Sequence, residues 1–429
     1  MKVLVVGKGG REHAIVHALS RSPSVETIYV APGNPGMARH GQCLAELAEP
    51  HAMASWAAEQ GIDLVFIGPE HYLAAGLVDE LEARGVKAVG PRQGAARLES
   101  SKIFAKELMQ RRGIPTASFA AFDDAGEALR HVKALPEGPV VVKADGLAAG
   151  KGAIVCGSRR EAEEAVRLIM EEEAFGSAGR RIVIEEFLEG EEASLLAFTD
   201  GETILPLLSA QDHKRLGDGD SGPNTGGMGA YSPAPVLGPE LAEAVVRDVM
   251  RPVIEEMAAL GHPYRGVLYA GLMLTAHGPK VLEFNCRLGD PETQAVLPLL
   301  ETDLGEIGQA VAEGRLSEVT LRWRSGSAVC VVLAAPGYPD DPVTGDPIAG
   351  LEEAEALDDV LVFHAGTALR GGRIVTAGGR VLGVTGLGAT LREAVQRAYE
   401  GAARISFPGM QYRRDIGGRA LKAQREDVS

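Results

Sequence analysis

A strand that ends in a glycine-rich turn and runs into a helix, repeated along the first hundred residues, limits most strongly what this chain can fold into. Residues 2–6 are an apolar run suited to a strand buried on both faces, and Gly7-Lys8-Gly9-Gly10-Arg11-Glu12-His13 then opens a helix reaching about Ser20. Ile28-Tyr29-Val30 is the next strand and leads into Ala31-Pro32-Gly33-Asn34. Leu64-Val65-Phe66-Ile67 is followed by Gly68-Pro69-Glu70, a helix over residues 73–84 and a strand at Val86-Lys87-Ala88-Val89. Such alternation predicts an open parallel α/β sheet with ligands at the carboxyl ends of its strands. The loops Gly9-Gly10-Arg11, Asn34-Pro35-Gly36 and Pro69-Glu70 then converge on one rim, which makes residues 1–100 a small-ligand domain. A helix N-terminus over a glycine turn suits a phosphate. A monophosphate fits better than a dinucleotide. The last position of G-x-G-x-x-G counted from Gly7 is Glu12, and no acidic residue follows the second strand to hold a ribose hydroxyl.

Composition narrows the partners. With 429 residues the chain is long enough for about three domains. Its 43 Lys and Arg against 59 Asp and Glu give a formal charge of −16, which argues against nucleic acid and anionic membranes. A phosphate site must therefore be a local basic pocket in an acidic protein. The four cysteines are scattered without a C-x-x-C pair, so neither zinc nor a disulfide framework is expected, and three of them sit in apolar strand-like surroundings. No stretch approaches a membrane span and the N-terminal apolar run is too short for a secretory signal, so a cytoplasmic protein is expected.

A second phosphate-binding candidate is Val140-Val141-Val142-Lys143-Ala144-Asp145-Gly146-Leu147-Ala148-Ala149-Gly150-Lys151-Gly152. An apolar strand ends in a lysine, a glycine-rich loop carries another, and Ala153-Ile154-Val155-Cys156 resumes as a strand. Glycines let backbone N–H groups approach phosphate oxygens, and Lys143 and Lys151 add charge. It is not a Walker A loop, because Gly152 follows Lys151 where Ser or Thr would stand and a strand follows where a helix would. Upstream, Ser101 caps a helix over Lys102–Arg112, and Lys102 in its first turn opposes the helix dipole, a placement that an anionic ligand would explain. Downstream, Arg181-Ile182-Val183-Ile184-Glu185-Glu186-Phe187-Leu188-Glu189-Gly190-Glu191-Glu192 runs from a strand into an acidic turn. Backbone at 186–188 can read an adenine edge as a linker between two lobes, and carboxylates just beyond can accept from ribose hydroxyls. A solvated acidic turn is the competing reading.

The stretch 217–235, with Asn224-Thr225-Gly226-Gly227-Met228-Gly229-Ala230-Tyr231, reads as a long structureless loop, either functional or disordered. His213 has no second His or Cys at ligand spacing and is not read as a metal ligand. After a helix over 239–260, Gly266–Thr275 and residues 280–285 form a hairpin turning at His277-Gly278. Glu283, Asn285 and Arg287 alternate along the second strand and share one face, with Phe284 and Cys286 on the buried face. A carboxylate and an amide oxygen suit a hard cation such as Mg²⁺ that relies also on waters and phosphates, and Arg287 suits an anionic group. The C-terminal part, from a strand near Ala328, holds a capping box at Thr390-Leu391-Arg392-Glu393 and reads as a packing domain. Only His364 is placed near a site edge.

In this order, a sheet domain, a lid with a glycine-rich loop, an acidic hinge and the strand Glu283-x-Asn285-x-Arg287 resemble the ATP-grasp fold. Several motifs are similar to those of the phosphoribosylamine–glycine ligase (glycinamide ribonucleotide synthetase) family. They are residues 143–152, Gln211-Asp212-His213-Lys214-Arg215, Pro223-Asn224-Thr225-Gly226-Gly227-Met228-Gly229-Ala230-Tyr231 and Glu283-Phe284-Asn285-Cys286-Arg287-Leu288-Gly289-Asp290-Pro291-Glu292-Thr293-Gln294. The likeness runs essentially end to end. It departs from the wider ATP-grasp pattern at Tyr269-Ala270-Gly271-Leu272-Met273-Leu274, which lacks a further metal-binding Glu.

The resemblance implies a mixed α/β and α+β chain. Its parts would be a substrate domain at 1–100, an ATP-grasp domain at 101–325 with a lid at about 119–188, and a C-terminal domain at 326–424. It implies that ATP, glycine and 5-phosphoribosylamine yield glycinamide ribonucleotide, ADP and phosphate in purine synthesis, with Mg²⁺ or Mn²⁺. Lys102, Lys143, Gly150, Lys151, Gly152, Glu185, Glu186, Leu188, Glu191 and Glu192 would bind ATP, and Glu283 and Asn285 the metal. Gly9, Gly10, Arg11, Asn34, Pro35, Gly36, Pro69, Glu70 and Lys214 would bind substrate. Arg287, Asp290 and Asp212 would act at the reacting centre, with Arg287 and Asp290 holding the two charged ends of glycine. A monomer is expected, with a weak dimer as the alternative. Rival readings are a nicotinamide-dependent oxidoreductase, which leaves the lid and metal strand unexplained, and a nucleotide sensor, whose metal strand should be degraded. A third is an ATP-grasp ligase for another acid or amine.

Overall fold

The computed structural model describes residues 1–148 and 152–426. The amino-terminal alternation folds as a five-stranded parallel sheet with Lys2–Gly7 at its centre. Thr27–Pro32 and then Gln42–Cys43 lie on one side, and Leu64–Ile67 and then Lys87–Val89 on the other. Val3 pairs with Ile28 on one flank and Leu64 on the other, so the strand order reverses at the central strand. A crevice opens at such a reversal, and the loops after Gly7 and Ile67 form its walls. Leu4 and Val6 join one core while Val3 and Val5 join another, which is why residues 3–6 are apolar without alternation. The helix expected over 73–84 is two pieces, Glu70–Ala74 and Leu77–Glu82. Gly76 between them takes φ 84°, a left-handed conformation that ends the first turn of chain.

Phe119–Phe122, Val140–Ala144, Ala153–Cys156 and Ile182–Glu186 form a four-stranded antiparallel sheet. The helices Ala125–Ala134 and Arg159–Val166 bury Ala128, Val132, Ala162 and Val166 against it. A second four-stranded sheet holds Ile204–Pro206, Glu191–Thr199 and the hairpin Gly266–Thr275 and Gly278–Asn285. A cleft lies between it and the sheet of residues 119–186.

The stretch 217–235 is not the structureless loop expected of it. Arg215–Gly217 and Ser221–Asn224 form a two-stranded ribbon, and Gly229–Ser232 joins the C-terminal sheet, where Tyr231 faces Val329. That sheet runs Gln211–Asp212, Gly229–Ser232, Ser327–Ala334, Arg380–Gly388, Val360–His364. A short glycine-rich strand acquires its partner about a hundred residues away, which local patterning cannot show. The helix expected over 239–260 continues through a five-residue π turn at Val246–Met250, next to Pro252, whose missing N–H disfavours the regular ladder. The expected capping box is present: Thr390 Oγ1 accepts from Glu393 N at 3.2 Å, and Leu391, Ala394 and Ala398 face the C-terminal core. Cys156, Cys286 and Cys330 are buried and Cys43 is half-buried.

Candidate active site

A cleft of about 910 Å³ gathers residues from all three parts of the chain. At one end of it the helix Lys102–Arg112 begins at Ser101, whose Oγ accepts from Phe104 N at 3.2 Å. Asp145 accepts from Ser101 Oγ at 3.0 Å and Ile103 N at 2.8 Å, which supplies an anion at the helix N-terminus. Lys102 itself donates to Gly146 O at 3.2 Å, and burial lowers its pKa. Lys143 stands 3.0 Å from Glu185, and Lys106, which reads from sequence as an ordinary helix cation, stands 3.1 Å from the same carboxylate. Glu186 pairs with Lys280 at 2.9 Å. Gly152, Glu185, Glu186, Leu188 and Glu192 line the cleft, whereas Glu191 does not. Gly150 and Lys151 lie outside the described residues.

Along the hairpin, Glu283, Asn285 and Arg287 all line the cleft while Phe284 and Cys286 enter the core. Burial pushes the Glu283 carboxyl up, but Lys214, Lys143 and Lys102 outweigh it and hold the group below its usual range. Lys214 lies 3.0 Å from Glu192 and 4.0 Å from Glu283; Glu192 above all raises its pKa, and it stays an ammonium. Arg287 is gripped by Glu99 at 2.9 Å and Glu70 at 3.2 Å and donates to Asn285 Oδ1 at 3.4 Å. Glu99 also accepts from Cys286 N at 2.7 Å, and burial raises its pKa to about 7. Glu70 falls to about 2, because Arg287 and Arg11 outweigh the upward push of burial.

The third group surrounds the glycine-rich Asn224-Thr225-Gly226-Gly227. Asp290 is held by Gln294 at 2.7 Å and by Arg380 at 3.2 Å. Arg380 also donates to the carbonyls of Gly226 at 2.5 Å and Asp290 at 2.7 Å, so the expected packing domain contributes a cation to the cleft. Asp212 accepts from His213 N at 2.7 Å, and burial followed by the neighbouring Glu292 raises its pKa well above the carboxylate range. Gly227 sits at φ 110°, and a Cβ there would lie 2.7 Å from Asp212 Oδ1, which explains a glycine at that position.

The amino-terminal rim divides. Arg11, Pro69 and Glu70 line the cleft, whereas Gly9, Gly10, Asn34, Pro35 and Gly36 do not. Gly9 N donates to Glu12 Oε2 at 2.6 Å, so the helix caps itself with its own carboxylate, and Glu12 also pairs with Arg11 at 2.5 Å. A Cβ on Gly9 would lie 2.9 Å from Glu12 Oε2. Glu12 therefore occupies the turn where a dinucleotide pyrophosphate would sit. Asn34 spends its amide on Lys8 O and His364 O and its oxygen on Gly36 N and Met37 N, which makes it a strut behind the rim. His364 lies at this seam and not on the cleft lining, and His213 is buried with Nδ1 3.1 Å from Gly229 O.

Sequence reading missed Glu99, Lys106 and Arg380. Each sits in an amphipathic helix or at a strand start where a charge reads as solvent-facing, so no local signal marked it.

The chain matches three family models in succession. These are the phosphoribosylglycinamide synthetase N domain over residues 1–99, the ATP-grasp (A) domain over 100–293 and the C domain over 328–419. It is 49% identical to a phosphoribosylamine–glycine ligase of Brucella melitensis, over 99% of both chains. Another of Vibrio cholerae is also 49% identical, over 99% of this chain and all of that one. The crystal structure of a phosphoribosylamine–glycine ligase from Thermotoga maritima superposes with a TM-score of 0.84 at 37% identity, covering 97% of this chain and 100% of that one. Similarity of this extent, carried through all three domain models in order, means that the chain belongs to the phosphoribosylglycinamide synthetase family and has its ATP-grasp architecture.

Proposed function

We propose that the chain ligates glycine to 5-phosphoribosylamine with ATP, giving glycinamide ribonucleotide, ADP and phosphate, as a cytoplasmic step of purine synthesis. The observation that carries this reading is full-length likeness to ligases of that reaction, at 49% identity over 99% of both chains. We assign residues 1–100 to the ribosylamine, 101–325 to ATP, with 119–188 as its lid, and 326–424 to closing the cleft from the far side through Arg380.

Transfer of a phosphoryl group depends on positioning and on charge neutralisation more than on covalent help from the protein. Lys102 and Lys143 face the proposed phosphates from the lid side, and Glu283 and Asn285 from the opposite strand. Among the described residues no cluster of three or more His, Cys, Asp or Glu could hold a metal alone. The donor set fits Mg²⁺ or Mn²⁺ nonetheless: an ionised carboxylate and an amide oxygen suit a hard cation that takes its remaining oxygens from water and phosphate. When bound, that ion would neutralise phosphate charge during transfer.

Glycine's carboxylate is a poor electrophile until one oxygen carries a phosphoryl group. Arg287 orients that carboxylate once glycine displaces Glu70 or shares the guanidinium with it, and Asp290 receives the ammonium. The carboxylate attacks the γ-phosphorus and ADP leaves; the ribosylamine nitrogen then attacks the carbonyl carbon of glycyl phosphate, whose C–O bond to phosphate breaks and releases phosphate. Asp212, which lines the cleft beside Asp290, accepts the proton that the amine sheds. Arg11 faces the phosphate of the sugar. ADP release measured with each substrate omitted in turn tests the assignment: turnover should require glycine and freshly generated phosphoribosylamine together. Turnover with glycine and a different amine alone would assign the cleft to another ligase.

A further inference from the structure

Four buried side-chain atoms among the described residues lack a hydrogen-bond partner: Arg159 Nε, Glu185 Oε1, Gln294 Oε1 and His364 Nε2. Of those four residues only Glu185 lines the cleft. Its other oxygen, Oε2, is held by two ammonium groups, Lys143 at 3.0 Å from the lid and Lys106 at 3.1 Å from the helix Lys102–Arg112. Lys106 also donates to Thr116 Oγ1 at 2.8 Å, and Thr116 donates in turn to Val281 O at 2.6 Å. Lys143 donates to Leu282 O at 3.2 Å, so both lysines are tied to the strand that carries Glu283 and Asn285.

A carboxylate whose side chain is only 2% exposed needs a cation beside it, and both cations here hold the same oxygen. Lys143 is the lysine placed to turn toward a phosphate, because the glycine-rich loop begins at its strand end. Lys106 is equally buried and anchored by Thr116, and it cannot follow. Burial lowers its pKa to about 8, with Glu185 pulling it back up, so it remains charged at neutral pH.

We infer that Lys106 is a positioning residue for nucleobase selection. It holds Glu185 Oε2 in place when Lys143 engages phosphate, so that Oε1 faces the base edge as a hydrogen-bond acceptor. A 6-aminopurine donates to such an oxygen. A 6-oxopurine sets acceptor against acceptor and leaves both unsatisfied in a dry site. The inference rests on the proposed nucleotide cleft and adds to it the group that sets purine preference.

The test is calorimetric titration of the full chain with ADP and with inosine diphosphate, each with Mg²⁺. The two ligands differ only at the purine edge, and no turnover is needed. Wild type should prefer ADP by about 10- to 100-fold, the range of one satisfied against one opposed buried hydrogen bond. Lys106→Met, checked for an intact thermal transition, should weaken ADP about ten-fold while leaving inosine diphosphate within about three-fold. Glu185→Gln, whose amide can donate, should also erode the preference, and it serves as the readout should Lys106→Met not fold. A folded Lys106→Met with the wild-type ratio, or with both nucleotides weakened equally, overturns the inference, as does an unchanged ratio in Glu185→Gln. Wild type that binds neither nucleotide overturns the nucleotide reading of the cleft and this inference with it.

Discussion

At the scale of single residues the cleft is a set of opposed charges awaiting substrates. Glu283 is kept ionised by three lysines and makes no hydrogen bond to any described residue closer than the Lys214 contact at 4.0 Å. Glu283→Gln is nearly isosteric, so the thermal transition should stay within about 2 °C, the effect of a few tenths of a kcal/mol. Turnover at saturating Mg²⁺ should fall about 100-fold or more, because charge neutralisation of the transferring group is lost. Wild-type turnover would remove Glu283 from the metal site. Arg11 has one partner in Glu12 and one in Leu288 O and still lines the cleft. Arg11→Ala should raise the KM for phosphoribosylamine about 10- to 100-fold, the worth of a charged hydrogen bond, with much smaller changes for ATP and glycine. Loss of ATP affinity instead would exchange the proposed roles of the two domains. Residues of the 283–287 strand were legible because alternation alone fixes which face they share. Glu99 was not, because a glutamate near a helix end looks solvated until Cys286 N and Arg287 are folded against it.

At the scale of elements, strands and helices with a strong local signal were read closely: Lys102–Arg112 begins at its serine cap and Gly266–Thr275 at its glycine. The ribbon Arg215–Asn224 and the strand Gly229–Ser232 were read as loop because their order comes from distant partners. Arg413 is the largest of these. Its side chain is 1% exposed, and it binds Asp415 at 2.7 Å, Asp220 at 2.9 Å and Arg215 O at 3.2 Å, which pins the ribbon over the cleft. Arg413→Met should cost about 3 kcal/mol in denaturant unfolding, the low end for breaking a buried ion pair, since the two aspartates keep some access to water. It should also raise the KM for the substrates that the ribbon covers. Unchanged stability would mean that the ribbon is held by its backbone alone.

At the scale of the whole molecule, the first and last domains meet at a histidine seam. His364 N donates to His13 Nδ1 at 2.8 Å, and His17 meets both His40 and Phe363 edge to face, beside the Arg39–Glu355 pair at 2.5 Å. Burial, foremost, lowers the pKa of His13, His17, His40 and His364, to about 4 for His17 and His364, with Arg39 adding to the effect at His364. Unfolded histidines take protons near pH 6.5 while His17 and His364 resist until about pH 4, so the unfolded state binds more protons in that window. Stability should therefore be full above pH 6.5 and fall between pH 6.5 and 4, by up to about 3 kcal/mol for fully buried His364. His364→Leu should flatten part of that slope in melting curves, and a wild-type melting temperature constant down to pH 4.5 would refute the seam's role. Arg287 and Asp290 follow Glu283 along one strand and the loop after it, and that placement underlies the claim that glycine is activated as an acyl phosphate. A single turnover with glycine labelled by oxygen-18 in its carboxyl group, followed by mass analysis of the released phosphate, tests that claim directly. One labelled oxygen in each phosphate is the expected result, and unlabelled phosphate, with both labels retained elsewhere, would contradict it.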